Sequence, residues 1–168
     1  MRRLILLVVL TAMTCATACA QQMSRLQALY IFNFAKNTSW VVADAGTPLV
    51  ITVVGDKAVA RDMRTIAGSK RIGDRPIVIS ESATAQGISD ADVIFLGEAK
   101  AAQIETLVSE QEGGHVLIVS ATEGHCARGA GIAFELVGGK FSYAISKANI
   151  EAHGLSVNKT LLINGKAL

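Results

Sequence analysis

The chain has 168 residues, of which 51% are hydrophobic and 18% charged, and its formal net charge at pH 7 is +2. This length suits one ordinary domain with a buried core. A charge so close to neutral provides no basic face for nucleic acid, and we expect no binding to it.

The first twenty residues are typical of an export signal. Arg2 and Arg3 precede an apolar run from Leu4 to Leu10, and Ala18-Cys19-Ala20 has the small-x-small pattern that signal peptidase cleaves. The run is too short to span a bilayer, which takes roughly 20 apolar residues. We therefore predict a cleaved signal peptide over residues 1–20, a mature domain over residues 21–168 and a periplasmic location.

Cys19 leaves a second interpretation open at the same place. A lipoprotein signal is also cleaved before a cysteine that follows small residues, and its lipid would tether the domain to a membrane. Ala16 stands where that signal prefers a larger aliphatic residue. Cleavage after Ala20 is therefore the favoured prediction.

Cleavage would change both the charge and the cysteine content. Losing Arg2 and Arg3 from 16 basic residues leaves 14, which equals the 14 acidic residues. Cys126 is then the single cysteine, and it is buried, free, or paired between chains. Burial is the preferred interpretation, because free cysteine is commonly an interior residue.

The first third of the domain predicts a helix, a strand and a second helix. Ser24 and Gln27 match a capping box, and apolar residues recur at helical spacing up to about Thr38. Leu49 to Val54 is a continuous apolar strand that ends in the turn Gly55-Asp56. Ala58 to Ala67 is then a helix for which Asp56 is the expected cap.

Further buried strands follow at Ile77 to Ile79, Val93 to Leu96 and Val116 to Val119, with a helix from Ala99 to about Glu110. Strands that are apolar on both faces are typical of a covered parallel sheet. Alternation of strand and helix predicts an α/β fold.

The residue pattern changes in the C-terminal part of the chain. Gly131 to Val137 and Lys140 to Ile145 flank Gly138-Gly139, which predicts a β-hairpin. Its apolar residues share one face, which either packs in the core or docks a partner. Ser146 is the expected cap of a helix that ends at His153-Gly154, and Leu155 to Ile163 is predicted as a strand or extended segment. The predicted fold is a compact single α/β domain, with a mostly parallel sheet flanked by helices and a C-terminal β-hairpin.

The sequence contains no residue pattern that is typical of a catalytic site. No Gly-x-Ser-x-Gly elbow occurs, and His125-Cys126, His115 and His153 lack the paired spacing of a zinc site. Asp90 and Asp92 are expected to be solvated. We predict no enzyme activity, no cofactor and no catalytic or metal-binding residues. An alternative function, a periplasmic small-ligand-binding module, comes from the strand-end loops at Gly55-Asp56 and Gly97-Glu98.

Several segments together resemble the YfiR family of periplasmic proteins. They span essentially the whole predicted mature chain: residues 28–36 leading to Trp40, 49–56, 71–79, 91–97, 129–134, 141–145 and 148–154. The resemblance implies a regulator, often dimeric, that binds the periplasmic sensor domain of a membrane diguanylate cyclase of the YfiN type. It also implies sequestration by an outer-membrane lipoprotein of the YfiB type, and an effect on cyclic-di-GMP, biofilm and motility.

Two features depart from the family. Its best-known member relies on intramolecular disulfides, which a chain with Cys126 alone cannot form, and Val41 follows Trp40 where proline is common. The hairpin and terminal helix are the predicted partner-binding surface, through these apolar and charged residues: Phe134, Glu135, Lys140, Tyr143 and Lys147.

Overall fold

The computed structural model describes residues 21–40 and 46–168. The predicted signal peptide, Cys15, Cys19 and Val41 lie outside the described residues.

A mostly parallel sheet forms the centre of the fold. Two described strands, β1 Thr38–Ser39 and β9 Ser156–Val157, form a separate pair. The strands of the central sheet are β2 Leu49–Val54, β3 Arg71–Ile72, β4 Arg75–Ser82, β5 Val93–Leu96, β6 Leu117–Ser120, β7 Ile132–Val137, β8 Lys140–Ile145 and β10 Lys166–Ala167. These eight described strands run in the order β10-β8-β7-β6-β5-β2-β4-β3. Strands β4, β2, β5, β6 and β7 are parallel neighbours, β8 is antiparallel to β7, and β3 is antiparallel to β4. The predicted fold class is confirmed.

Helices cover both faces of the sheet, because the central strands are apolar on both sides. The helices are α1 (21–36), α2 Lys57–Ala67, α3 Ile104–Glu110, α4 Lys147–Ala152 and α5 Lys159–Asn164. Helices α1 and α2 pack with Ile51, Val53 and Phe95 in one core cluster, whereas α3 packs with Ile94 and Leu96 in another. Alternate residues of β5 thus enter different cores, as the pleat of a strand requires.

Helix α1 differs from its predicted start. Residue 21 is already helical, so Ser24 lies inside the helix and the capping-box interpretation is wrong. Its hydroxyl donates instead to Asp62 Oδ2 at 2.6 Å, and its Oγ also lies 3.0 Å from the Gln21 carbonyl oxygen. Thr38 marks the other end, where its Oγ1 donates to the Phe34 carbonyl at 2.8 Å.

Helix α2 begins as predicted. The Asp56 side chain accepts hydrogen bonds from the backbone N–H groups of Ala58 and Val59, both at 3.0 Å. A cap of this kind typically contributes about 1 kcal/mol. The segment predicted as one helix from Ala99 to Glu110 is a 3₁₀ helix, Glu98–Gln103, followed by α3.

The predicted hairpin is confirmed. Phe134 faces Tyr143 across β7 and β8, and Gly138 and Gly139 form the two-residue turn with φ of 57° and 77°. Two successive positive φ values are the geometry of a type I′ turn, which matches the twist of the strands.

The last segment corrects the prediction of an extended end. Ser156–Val157 (β9) pairs with Thr38–Ser39 (β1), but the chain then turns into α5. Asn158 caps this helix by accepting from the Thr160 N–H at 3.0 Å. Leu161, on the inner side of α5, is fully buried. After α5, strand β10 returns and pairs with β8.

Asp92 is not the solvated residue that its loop position suggested. Its carboxylate accepts two hydrogen bonds from Arg75 Nη2 (2.9 and 2.8 Å) and one from the Val50 N–H (2.8 Å). Both side chains of the ion pair are largely buried, with 11% of Arg75 and 18% of Asp92 exposed. The pair connects β4 to the entry of β5, across the start of β2.

Candidate partner-binding site

A groove of about 390 Å³ opens where β5, β6 and β7 end. We call it the hairpin groove, and its lining residues are Met23, Gln27, Glu98, Ala121, Thr122, Glu123, Phe134, Glu135, Leu136 and Phe141. The carboxyl ends of strands meet the start of α1 here. Ligands of open α/β sheets bind outside this edge of the sheet.

Packed aromatic rings form the floor of the groove. The Phe134 and Phe141 ring centroids are 4.7 Å apart, and Tyr30 lies 6.0 Å from Phe134 and 5.4 Å from Phe141. Phe34 and Tyr143 continue the cluster at 4.8 Å, deeper in the core. Edge-on and tilted contacts of this kind stabilise the hairpin against α1 beyond simple burial.

The rim of the groove is apolar and exposed. Leu136 is 62% exposed and Met23 38% exposed, and Val137, next along the hairpin, is 55% exposed. Exposed apolar side chains at neighbouring positions are a common mark of an interaction surface.

Acidic groups lie at the polar side of the groove. Glu98 and Glu123 are exposed, whereas Glu135 is only 6% exposed. Glu135 Oε1 and Thr122 Oγ1 are both buried and have no hydrogen-bond partner among the described residues. Buried polar atoms are nearly always hydrogen-bonded, so these two atoms are exceptions to the rule.

The structure brings together only some of the predicted partner-binding residues. Phe134 and Glu135 line the groove, while Tyr143 is 2% exposed and supports it from below. Lys140 is exposed beside the hairpin turn, and Lys147 lies past the other end of β8, where its Nζ is 3.1 Å from Glu151 Oε1. That these five residues bind a partner stays a prediction.

Eight of the ten lining residues were not among the predicted partner-binding residues, and Met23, Thr122 and Leu136 are three of these. The alternation of β7 put Leu136 on the face that was predicted either to pack in the core or to dock a partner, and the core ends before this position and leaves Leu136 in solvent. Met23 and Thr122 reach the groove only through tertiary packing, and no local pattern marks them.

Cys126 is buried, as preferred from the sequence. It is 5% exposed and packs against Ala133 and Ala144. Burial raises the pKa of its thiol to about 11, and the Glu135 carboxylate acts in the same direction. A thiol in this state is a poor nucleophile.

The histidines do not converge. His125 Nδ1 is 2.7 Å from Ser120 Oγ in the interior, and burial, together with the Arg128 charge, lowers the pKa of His125. His115 and His153 instead contact each other's loops, through the carbonyls of His153 and Gly114. The described residues contain no cluster of three or more His, Cys, Asp or Glu that could hold a metal ion.

The ends of β2 and β4 and Lys100 of the 3₁₀ helix form a separate cleft of about 430 Å³, lined in part by Gly55, Asp56, Lys57 and Ser82. Of the two loops in the alternative prediction, Gly55-Asp56 lines this cleft, whereas Gly97-Glu98 does not, and Glu98 lines the hairpin groove instead. The Lys100 side chain covers Gly55, since a Cβ added there would lie 2.4 Å from Lys100 Cγ.

Among the described residues, no helix combines the length and apolar character needed to cross a bilayer. The sequence model of the YfiR/HmsC-like family, DUF4154, matches residues 24–165. A comparison with curated proteins finds no match.

A crystal structure of a conserved domain protein from Vibrio cholerae is similar to this chain, with a TM-score of 0.51 and 15% sequence identity. The similarity covers 70% of this chain and 54% of that one, so the chain spans about half the length of that protein. At this identity the likeness shows the α/β fold alone. The family match extends from α1 through the hairpin to α5, and the chain therefore belongs to the YfiR/HmsC-like family, whose members are periplasmic signalling regulators.

Proposed function

We propose that this protein binds the periplasmic sensor domain of a membrane signalling protein of the diguanylate-cyclase type and thereby changes cyclic-di-GMP in the cell. The observation that carries the proposal is the family match over residues 24–165. Regulation of this kind is a two-state equilibrium of the membrane protein, biased by the regulator's tighter binding to one state. A lipoprotein of the YfiB type would act by competing for the regulator.

The hairpin groove supports the proposal as the contact surface. Leu136, Met23 and the packed rings of Phe134 and Phe141 give the groove an apolar centre, and the exposed Glu98 and Glu123 lie beside it. Protein interfaces typically combine an apolar, rigid centre with a polar surround. The groove therefore offers the composition that a protein partner requires.

Crosslinking and pull-down from membranes of the native organism test the proposal. Leu136→Glu places a charge among the exposed apolar residues of the groove and should reduce recovery of the sensor protein by roughly tenfold or more. Ile163→Glu is the matched control, because Ile163 is 80% exposed but does not line the groove. Recovery of no membrane signalling protein, with unchanged cyclic-di-GMP in a deletion strain, would contradict the proposed function.

A small-ligand-binding module is the second candidate. Helix α2, after β2, and helix α3, after β5, pack on opposite faces of the sheet. Open α/β sheets bind ligands between two neighbouring strands whose connections leave toward opposite faces in this way. A metabolite at a hundred times its dissociation constant would stabilise the fold by about 2.7 kcal/mol. A thermal-shift screen without any such stabilisation would count against this function.

A further inference from the structure

A short turn after β6 places a histidine and a cysteine in the interior. We call residues 124–129 the histidine turn, which consists of a 3₁₀ helix with one glycine at each end. His125 is 3% exposed and Cys126 is 5% exposed. Gly124 and Gly129 have φ values of 81° and 102°, a region that favours glycine. The two glycines give the turn a hinge at each end.

The two ring nitrogens of His125 have different partners. Nδ1 is 2.7 Å from Ser120 Oγ, and Nε2 is 3.5 Å from Arg128 Nη1. A guanidinium nitrogen only donates, so Nε2 is the acceptor, and Nδ1 carries the proton and donates to Ser120. The opposite tautomer would bring two N–H groups together. The closed turn therefore holds His125 in its neutral form.

A second proton on His125 can bind only at Nε2. It would convert this acceptor into a donor and place an imidazolium ion against the Arg128 guanidinium, so the contact would become repulsive. Burial, together with the charge of Arg128, lowers the pKa of His125. The closed turn thus disfavours the proton that an exposed histidine binds near pH 6.5.

Other ionisable groups lie around the turn. From α3, Glu105 Oε1 accepts from Arg128 Nη2 at 3.1 Å, and from β7 the Glu135 carboxylate acts on the Cys126 thiol. Among the described residues, Arg128 is the charged group that acts on His125. The groove outside the turn, toward α4, has these ionisable lining residues: Glu105, Glu112, Arg128 and His153.

Few contacts hold the turn closed besides those of His125. Asn149 Nδ2, on α4, donates to the carbonyls of Cys126 at 2.7 Å and Ala130 at 2.8 Å. Gly129 lies against α3, because a Cβ added there would be 2.7 Å from Val108 Cγ1. A segment with so few contacts opens at a lower free energy than the whole domain.

We propose that the histidine turn is a pH-sensitive switch, which opens when His125 takes up a proton and exposes Cys126 while the sheet stays folded. Residues 121–123 join β6 to the turn and line the hairpin groove. Opening would therefore move one wall of the groove. Control of partner binding by this movement rests on the proposed function, whereas the opening itself does not.

The reaction rate of the Cys126 thiol measures the opening, because the thiol reacts only while the turn is open. Closure is favoured while His125 is neutral, and this advantage is lost as pH falls below about 6.5, the pKa of an exposed histidine. A closed turn that binds no proton gives an increase in the open fraction of about 30-fold between pH 7.5 and pH 5. We expect an increase of at least about tenfold.

Reaction with 4,4′-dithiodipyridine, which modifies thiols at acid pH, tests the inference on the predicted mature chain, residues 21–168. The ratio of the rate in buffer to the rate in urea at each pH removes the intrinsic pH dependence of the thiol. His125→Asn keeps an N–H donor for Ser120 but takes up no proton, so its ratio should not change with pH. His115→Asn, the same substitution at an exposed histidine outside the turn, should retain the wild-type pH dependence.

A change of the wild-type ratio below about threefold would overturn the inference without relying on any variant. So would a pH dependence that persists in a folded His125→Asn protein, or one that Glu135→Gln abolishes, since another group would then be the sensor. Loss of the far-UV circular dichroism over the same pH range would also overturn it, because the domain would then unfold as a whole. A sensor protein recovered from membranes, together with any of these results, would leave the proposed function standing.

Discussion

Burial of Cys126 should make its thiol unreactive in the native protein. The thiolate is the nucleophilic form, and burial among Ala133 and Ala144 raises the pKa of Cys126 from 9.0 to about 11. At pH 8 the thiolate fraction falls from about one tenth to about one thousandth, so alkylation should be about 100-fold slower than in the unfolded chain.

The same pKa difference makes stability depend on pH. The unfolded thiol ionises near pH 9, whereas the native thiol stays protonated until about pH 11. Its contribution to the free energy of unfolding is thus fully present below pH 9 and is lost as pH rises through 11. A difference of two units between the native and unfolded pKa corresponds to about 2.7 kcal/mol of unfolding free energy. About 2 kcal/mol of this is lost by pH 11.

A chain that starts at Gln21 and keeps Cys126 as its single thiol suits both measurements. Alkylation is followed in buffer and in urea, and unfolding by urea is followed from pH 8 to pH 11. Cys126→Ala is the control, because the wild-type minus variant difference isolates this thiol from lysines and tyrosines that titrate in the same range. An alkylation rate of the native protein within about tenfold of the rate in urea would refute the reasoning. So would the same change in unfolding free energy with pH in the wild type and in Cys126→Ala.

Two further substitutions test single contacts: the ion pair between Arg75 and Asp92, and the hydrogen bond that joins the hairpin to α5. Asp92→Ala removes the carboxylate that Arg75 and the Val50 N–H share, and it should lower the free energy of unfolding in urea by about 3 kcal/mol. A loss below about 1 kcal/mol would show that water replaces the ion pair. Tyr143→Phe removes the hydroxyl that donates to the Leu161 carbonyl at 2.8 Å, with an expected loss of about 1 kcal/mol. An unchanged urea midpoint would mean that this bond does not hold α5 against the hairpin.

Local patterns predicted the elements whose formation depends on neighbours in sequence. The buried strands β2, β5 and β6, the Asp56 cap and the Gly138-Gly139 turn are confirmed, since each depends on residues a few positions apart. The strand predicted as buried at Ile77 to Ile79 is present, but β4 has no buried residue and Val78 is 45% exposed. Helix α5 was missed because its leucines and isoleucine also fit a strand. Asn158 before it was the available signal.

The hairpin groove could be predicted only in part. Phe134 and Glu135 came from the apolar and charged character of the hairpin, and both line the groove. Met23 comes from α1 and Thr122 from the loop after β6, and these segments are distant in sequence. The burial of Glu135 also depends on this packing.

The sequence by itself determined the α/β class, the run of buried strands, the hairpin and the resemblance to the family, because hydrophobic period and turn chemistry act over a few residues. The tertiary structure alone decided the strand order, the pairing of Arg75 with Asp92 and the placement of β10 beside β8. It also decided that one carboxylate oxygen of Glu135 is buried without a donor. These outcomes depend on contacts between segments far apart in the chain, whose energies arise only once the sheet has assembled.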